Sequence, residues 1–321
     1  MIASSPAIST GLPVFTPLTA VRADAPIISV DPIVVPTSAK GRALLLRVTA
    51  PTTGSGLPVI VLTHGNRLSR EDYRPLVDWW ARAGFVVVQP DHEDASNDGF
   101  WPATIPSAMW RSRVADVSRT IDALPMIAAS VPGLLGRIDT TRIAVAGHSL
   151  GGLTAEMIAG ATLRAPVDGH APIVPDRRVR ATILLAPPGR YEDLTAEWRA
   201  RGAYLNVDFS KMRAPILVVA GGADGGAPLS SRDAGWRQDA YRLAPRGAAC
   251  LVVVAGAGHY LGGINGPGMK PDGDATADRL ALVRDATTRF LRAALIGSDS
   301  SFKAWLAEIG SGKAVGDAAC K

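Results

Sequence analysis

No stretch of this chain approaches the ~18 consecutive apolar residues that a bilayer-spanning helix needs, although hydrophobic residues make up 47% of its 321 residues. The apolar content is instead cut into short runs, enough in total for a sizeable core. Lysine is scarce beside arginine, and the basic residues are scattered, as in Arg177-Arg178 and Arg199 to Arg201. No Lys/Arg tract interleaves with aromatics, so the net charge of +5 reads as a solvated surface and no nucleic-acid partner is expected. Repeats and low-complexity stretches are missing too. Residues 1–24 lack a basic segment followed by a continuous apolar one, so no signal peptide is read there. This Ser/Thr/Pro-rich segment is expected to form an extended arm ahead of a single domain over 25–321. Cysteine occurs only at Cys250 and Cys320. In a reducing compartment both would be free thiols.

Glycine and proline are plentiful, at 33 and 24, but they fall between the apolar runs and punctuate them. Strands are expected at 27–35, 43–49, 59–63, 85–89, 142–146, 181–186, 216–220 and 250–254. Helical spacing separates several of them: Trp110, Val114, Val117, Ile121 and Leu124 recur at 3.6-residue periodicity, as do Leu280, Val283, Ala286 and Phe290. Phe302, Trp305, Leu306 and Ile309 predict a last short helix. Strand-helix alternation after an opening hairpin gives an α/β fold with a mostly parallel, doubly wound sheet of eight strands.

The most informative segment is Gly147-His148-Ser149-Leu150-Gly151-Gly152, which follows the apolar run Ile143-Ala144-Val145-Ala146. A G-x-S-x-G turn between strand and helix holds its serine in a strained backbone conformation and lifts the hydroxyl above the sheet. The glycines are needed because side chains there would collide with neighbouring backbone. Two later strand runs also end in polar residues. Pro215 to Ala220 empties into Gly221-Gly222-Ala223-Asp224, and Leu251 to Val254 runs into Ala255-Gly256-Ala257-Gly258-His259. Taken singly, Asp224 has an ordinary use as a turn residue and His259 as a strand-end histidine. Serine, acid and histidine in that chain order are the three groups of an acyl-transfer triad. The hydroxyl is a poor nucleophile until an imidazole takes its proton, and a carboxylate fixes the imidazole's tautomer. A fourth run, Leu57 to Thr63, ends in His64-Gly65-Asn66. The backbone N–H groups of Asn66 and Leu150 are the expected oxyanion donors. His64 precedes the serine and is read as support for its loop.

From His64 through Asp91 the chain (HGNRLSREDYRPLVDWWARAGFVVVQPD) resembles the dienelactone-hydrolase-like α/β-hydrolases, a group that includes chlorophyllase-like and platelet-activating-factor-acetylhydrolase-like esterases. The elbow GHSLGG is similar to that of cutinase-like polyester hydrolases. The resemblance implies the α/β-hydrolase fold and carboxylic ester hydrolysis without a cofactor. Ser149 stands where dienelactone hydrolases proper carry cysteine, so that substrate is not implied. In the cutinase-like enzymes a C-terminal disulfide ties down the tail. By that likeness Cys250 and Cys320 have a second reading as a bonded pair, which would favour a secreted or periplasmic setting; the compartment is otherwise open.

Substrate recognition is less legible. The stretch 189–213, where a lid is usual, is short, so an open cleft is expected. Its aromatics Tyr191, Trp198 and Tyr204, with Phe100, Trp101, Tyr260 and His148, are candidate lining residues. The run Asp91-His92-Glu93-Asp94 offers metal donors but no partner cluster, and is read as a capped loop. The function expected is a serine esterase acting on small or polymeric hydrophobic or aromatic esters, as a monomer or small homo-oligomer. An acyltransferase or amidase with the same triad, or a non-catalytic binding protein, are the alternatives.

Overall fold

The computed structural model describes residues 24–36, 42–95, 109–164, 175–213, 215–266, 275–297, 301–309 and 316–321. The expected N-terminal arm therefore lies outside the described residues, apart from Asp24. Eleven strands and eight α-helices alternate along these segments. β1 (Ile27–Val35) and β2 (Leu44–Pro51) form the opening hairpin, followed by β3 (Leu57–Thr63), α1 (Arg74–Arg82), β4 (Val86–Pro90), α2 (Met109–Asp122), α3 (Leu124–Ser130) and β5 (Ile138–His148). Then come α4 (Leu150–Ile158), β6 (Thr162–Leu163), β7 (Val179–Leu185), α5 (Ala196–Arg201), β8 (Val207–Asp208), β9 (Ile216–Gly221), α6 (Asp239–Leu243) and β10 (Ala249–Val254). The chain closes with α7 (Ala277–Leu295), α8 (Ser301–Ile309) and β11 (Gly316–Cys320).

Nine strands make one sheet in the order β1-β2-β4-β3-β5-β7-β9-β10-β11. The strands from β4 to β10 run parallel, while β1, β2 and β11 are antiparallel to their neighbours. A parallel sheet needs cover on both faces, and side chains alternate along each strand to supply it. In β3, Val59 and Val61 face the layer built by α2, α3 and α4, whereas Ile60 and Leu62 face α1, α7 and α8. The same alternation runs through β5, with Ile143 and Val145 on one side and Ala144 and Ala146 on the other. Chain order reverses between β3 and β5, which opens a crevice at the carboxyl ends of the strands.

All eight expected strands are present. The ninth, β11, has the sequence GDAAC and lacks β-branched residues, so no strand signal marks it. It is held at the sheet edge by pairing with β10 and by a Cys250–Cys320 disulfide, which favours the bonded reading of the two cysteines. The expected helix through Leu124 breaks at Ala123, because Pro125 cannot donate within a helix and starts α3 instead.

The disulfide bridges a sequence separation of 70 residues, which in the chain-entropy picture is worth about 4 kcal/mol. A doubly substituted Cys250→Ser, Cys320→Ser protein is expected to lose up to that much in urea denaturation. Equal midpoints with and without the bond would mean that strand pairing alone secures the tail.

Candidate active site

Four strand ends converge at the crevice. β5 runs directly into Ser149, whose backbone sits at φ 55°, ψ −115°, a conformation that L-residues adopt only under constraint. Its N–H donates to the Leu185 carbonyl at 2.9 Å, and its carbonyl accepts from Leu153 N–H as α4 begins. The glycines around it are sterically required: a β-carbon on Gly147 would overlap the Gly151 carbonyl, and one on Gly151 would overlap the Thr63 carbonyl. The turn can form only because two backbones touch where side chains are missing.

Asp224 follows β9 and His259 follows β10, and both meet the serine. His259 Nε2 lies 2.9 Å from Ser149 Oγ, and His259 Nδ1 lies 2.8 Å from Asp224 Oδ2. The histidine is about a quarter exposed while Asp224 is buried, so the carboxylate is withheld from water and the imidazole is open to it. A hydroxyl, imidazole and carboxylate in this line can pass a proton from serine to histidine and hold the cation that results. Asn66, after β3, and Leu150, the first residue of α4, border the same cleft. The first amides of a helix have no partner within it, so Leu150 N–H is available to an oxyanion.

The cleft holds about 210 Å³, and its lining includes Trp198, Tyr204 and Leu205 from one segment and Ala227, Pro228 and Leu229 from another. The short 189–213 stretch is bonded to a neighbouring loop. Thr195 N–H donates to the Leu229 carbonyl at 2.9 Å, Ser230 Oγ donates to the Asp193 carbonyl at 2.7 Å, and Arg232 pairs with Asp193 at 2.6 Å. Those bonds fasten it to the loop after Asp224 and give the cleft a wall. Burial raises the Tyr204 phenol to about 12, so it stays neutral there.

Of the candidate lining residues, Trp198 and Tyr204 reach the cleft, while Phe100 and Trp101 lie outside the described residues. Three others are corrected. Tyr191 packs on the core and donates its hydroxyl to the Arg199 carbonyl. Tyr260 packs at a tilt against the rings of His148 and His259. His148 is buried and turns to Tyr73 and to the His259 carbonyl. Being adjacent in sequence to Ser149 or His259 does not by itself aim a side chain into the cleft.

Nor does the Asp91 to Asp94 run converge on one point. Asp91 pairs with Arg70, His92 Nδ1 faces Asp116 at 3.2 Å, and Asp94 takes a two-pronged grip from Arg113 at 2.9 Å on each prong. Arg113 also donates to the His64 carbonyl at 2.9 Å and so anchors the loop that carries Asn66. His64 accepts from the His92 N–H and does not approach the serine, as its supporting role requires.

Sequence reading missed Arg237. This buried guanidinium lies 3.2 Å from Asp224 Oδ2, an ion-pair contact off the hydrogen-bond line, and stacks on Trp236. Burial lowers its pKa, with the Asp224 carboxylate opposing that shift. Behind it, Glu156 on α4 is fully buried and burial pushes its carboxyl well up. No pattern in the sequence joins residues 156, 224 and 237; only the fold does.

Burial also holds His64, His92 and His148 below the usual imidazole range, His64 at about 3. Below pH 6.5 the unfolded chain takes up a proton at each of the three and the native state does not. Stability from them is therefore full above that pH and is lost as pH falls. Glu156 offsets one of the three, because above pH 4.5 the native state keeps a proton that the unfolded chain releases. Three histidines act in one direction and Glu156 in the other, so net stability is expected to fall as the pH drops from 6 to 5. Urea denaturation at those two values measures it, and a flat response would contradict the neutral burial of these rings.

The chlorophyllase family model matches residues 22–168, a span that carries the Asn66 loop and the serine elbow and ends before Asp224 and His259. No curated protein matches the chain. Among the described residues no helix is long and apolar enough to cross a membrane. The mostly parallel nine-stranded sheet flanked by helices is consistent with the α/β-hydrolase fold, and over residues 22–168 the chain is similar to the chlorophyllase family.

Proposed function

We propose that this protein is a serine carboxylic ester hydrolase acting through an acyl-enzyme, with residues 25–321 as one catalytic domain. The observation that carries the reading is the single imidazole of His259 lying within 2.9 Å of Ser149 Oγ and 2.8 Å of Asp224 Oδ2, on a turn strained for exposure of the hydroxyl. Ser149 Oγ attacks the ester carbonyl as His259 Nε2 takes its proton, and Asp224 stabilises the imidazolium. Negative charge on the former carbonyl oxygen is met by the amides of Asn66 and Leu150. The proton then passes from His259 to the departing alcohol. Water, activated by the same imidazole, attacks the acyl-enzyme and restores Ser149. All of these steps use side chains and backbone alone.

The apolar walls of the cleft and the rings of Trp198 and Tyr204 favour uncharged hydrophobic or aromatic esters, either small molecules or accessible polyester chains. The Cys250–Cys320 bond fits an oxidising compartment. Hydrolysis of p-nitrophenyl acetate and its longer-chain homologues tests the reading, with and without a fluorophosphonate. Turnover that the reagent abolishes is the expected result. Neither turnover nor labelling would point to a binding protein, and turnover that depends on an added alcohol or amine would point to acyl transfer.

A further inference from the structure

Three strand ends of the site are joined behind the reacting atoms by one run of hydrogen bonds. Gly65 N–H, one residue before Asn66, donates to Tyr73 Oη at 2.9 Å. That same oxygen lies 2.9 Å from His148 Nδ1, and His148 Nε2 lies 2.9 Å from the backbone carbonyl of His259. An amide can only donate and a carbonyl can only accept, so the protons have one consistent arrangement. Tyr73 accepts from Gly65 and gives its own proton to His148 Nδ1; His148 is neutral, with its proton on Nε2 and directed at the carbonyl. Every partner is satisfied and none of the three side-chain groups is left over.

Two further features belong to this chain of bonds. Tyr73 occupies the left-handed region at φ 68°, ψ 18° although it is not glycine, and it is buried completely at the start of α1. Gly65 has no side chain, and a β-carbon there would stand 3.0 Å from His148 Nδ1 and 3.3 Å from the Tyr73 hydroxyl, tighter than ordinary contact at the ring nitrogen. The approach of phenol and imidazole to the Asn66 loop therefore needs both the strained tyrosine and the bare glycine.

We propose that Tyr73 and His148 are positioning residues that hold the oxyanion amide at Asn66 and the imidazole of His259 at a fixed separation, with Ser149 between them. This rests on the esterase reading above and adds that the loop after β3 and the loop after β10 move as one unit. The separation of donor and base decides how well the tetrahedral intermediate is met, so the link acts on the transition state and not on substrate entry.

The test uses the full-length protein and the variants Tyr73→Phe, His148→Asn and their combination, with p-nitrophenyl acetate as substrate and an arylboronic acid as a tetrahedral mimic. Tyr73→Phe removes one oxygen and keeps the ring. A fall in kcat of roughly 10- to 100-fold is expected for each single variant, with KM within about twofold and boronate affinity falling in step. The double variant is expected to be no worse than the worse single one, since either break severs the same link. Nitrogen-15 spectra of the imidazoles give a readout independent of activity: His148 in the unaltered protein carries its proton on Nε2. A proton on Nδ1 overturns the link, and so does unaltered kcat in both single variants of an active enzyme. Additive losses from variants with lowered unfolding midpoints would reduce it to a matter of stability. Should Tyr73→Phe not fold, His148→Asn carries the same comparison. An unaltered protein that neither turns over substrate nor labels at Ser149 would instead remove the esterase reading beneath it.

Discussion

Ser149→Ala is expected to lower kcat on p-nitrophenyl esters about a million-fold, to the residual rate that an oxyanion site and binding alone sustain. The size follows from the chemistry. Without Oγ there is no acyl-enzyme, and His259 can at best deliver water to a carbonyl held for a different attacker. The substitution should leave stability nearly untouched, because the side chain contributes a small, half-open group to the core; relief of the φ 55° strain is not gained, since alanine has a β-carbon too. Unfolding midpoints therefore separate lost chemistry from lost structure.

Asp224→Asn is expected to lower kcat about 10,000-fold with the backbone intact. The amide nitrogen of asparagine can donate to His259 Nδ1, which turns the imidazole to the tautomer protonated at Nε2. That nitrogen then cannot accept from Ser149 Oγ. In this protein the substitution carries a second consequence. Arg237, buried and 3.2 Å from the same carboxylate oxygen, would lose its adjacent counter-charge. Removing one member of a buried ion pair typically costs about 3–5 kcal/mol, so a drop in unfolding midpoint should accompany the drop in rate. Ser149→Ala should show the first effect without the second. Equal stability of the two variants would mean that Arg237 draws its support from elsewhere.

The sheet was legible because its strands are Val, Ile and Leu runs covered on both faces, and the candidate residues Ser149, Asp224 and His259 stood out because each follows such a run. β11 escaped notice since GDAAC has no strand-forming character and is an edge held by its neighbour and by Cys250–Cys320. The stretch 189–213 has no period of either kind. Its short turns bury Tyr204, Leu205, Phe209 and Met212 one at a time, so nothing in the sequence announced a folded wall. Arg237 pairs with Asp224 across a loop without periodicity, and Tyr73 meets His148 at a separation of 75 residues, which no local pattern encodes. His148 and Tyr260 were misjudged for the opposite reason, their closeness in sequence to Ser149 and His259. At the end of a strand and in a tight turn, adjacent side chains point to different neighbours.

The most direct measurement is the mass of the intact protein and of its peptides after brief reaction with a fluorophosphonate, in the unaltered chain and in Ser149→Ala. One adduct per chain, confined to the peptide holding Ser149 and absent from the variant, is the predicted outcome. Labelling at another residue, or an adduct and turnover that persist when Ser149 is alanine, would contradict the account.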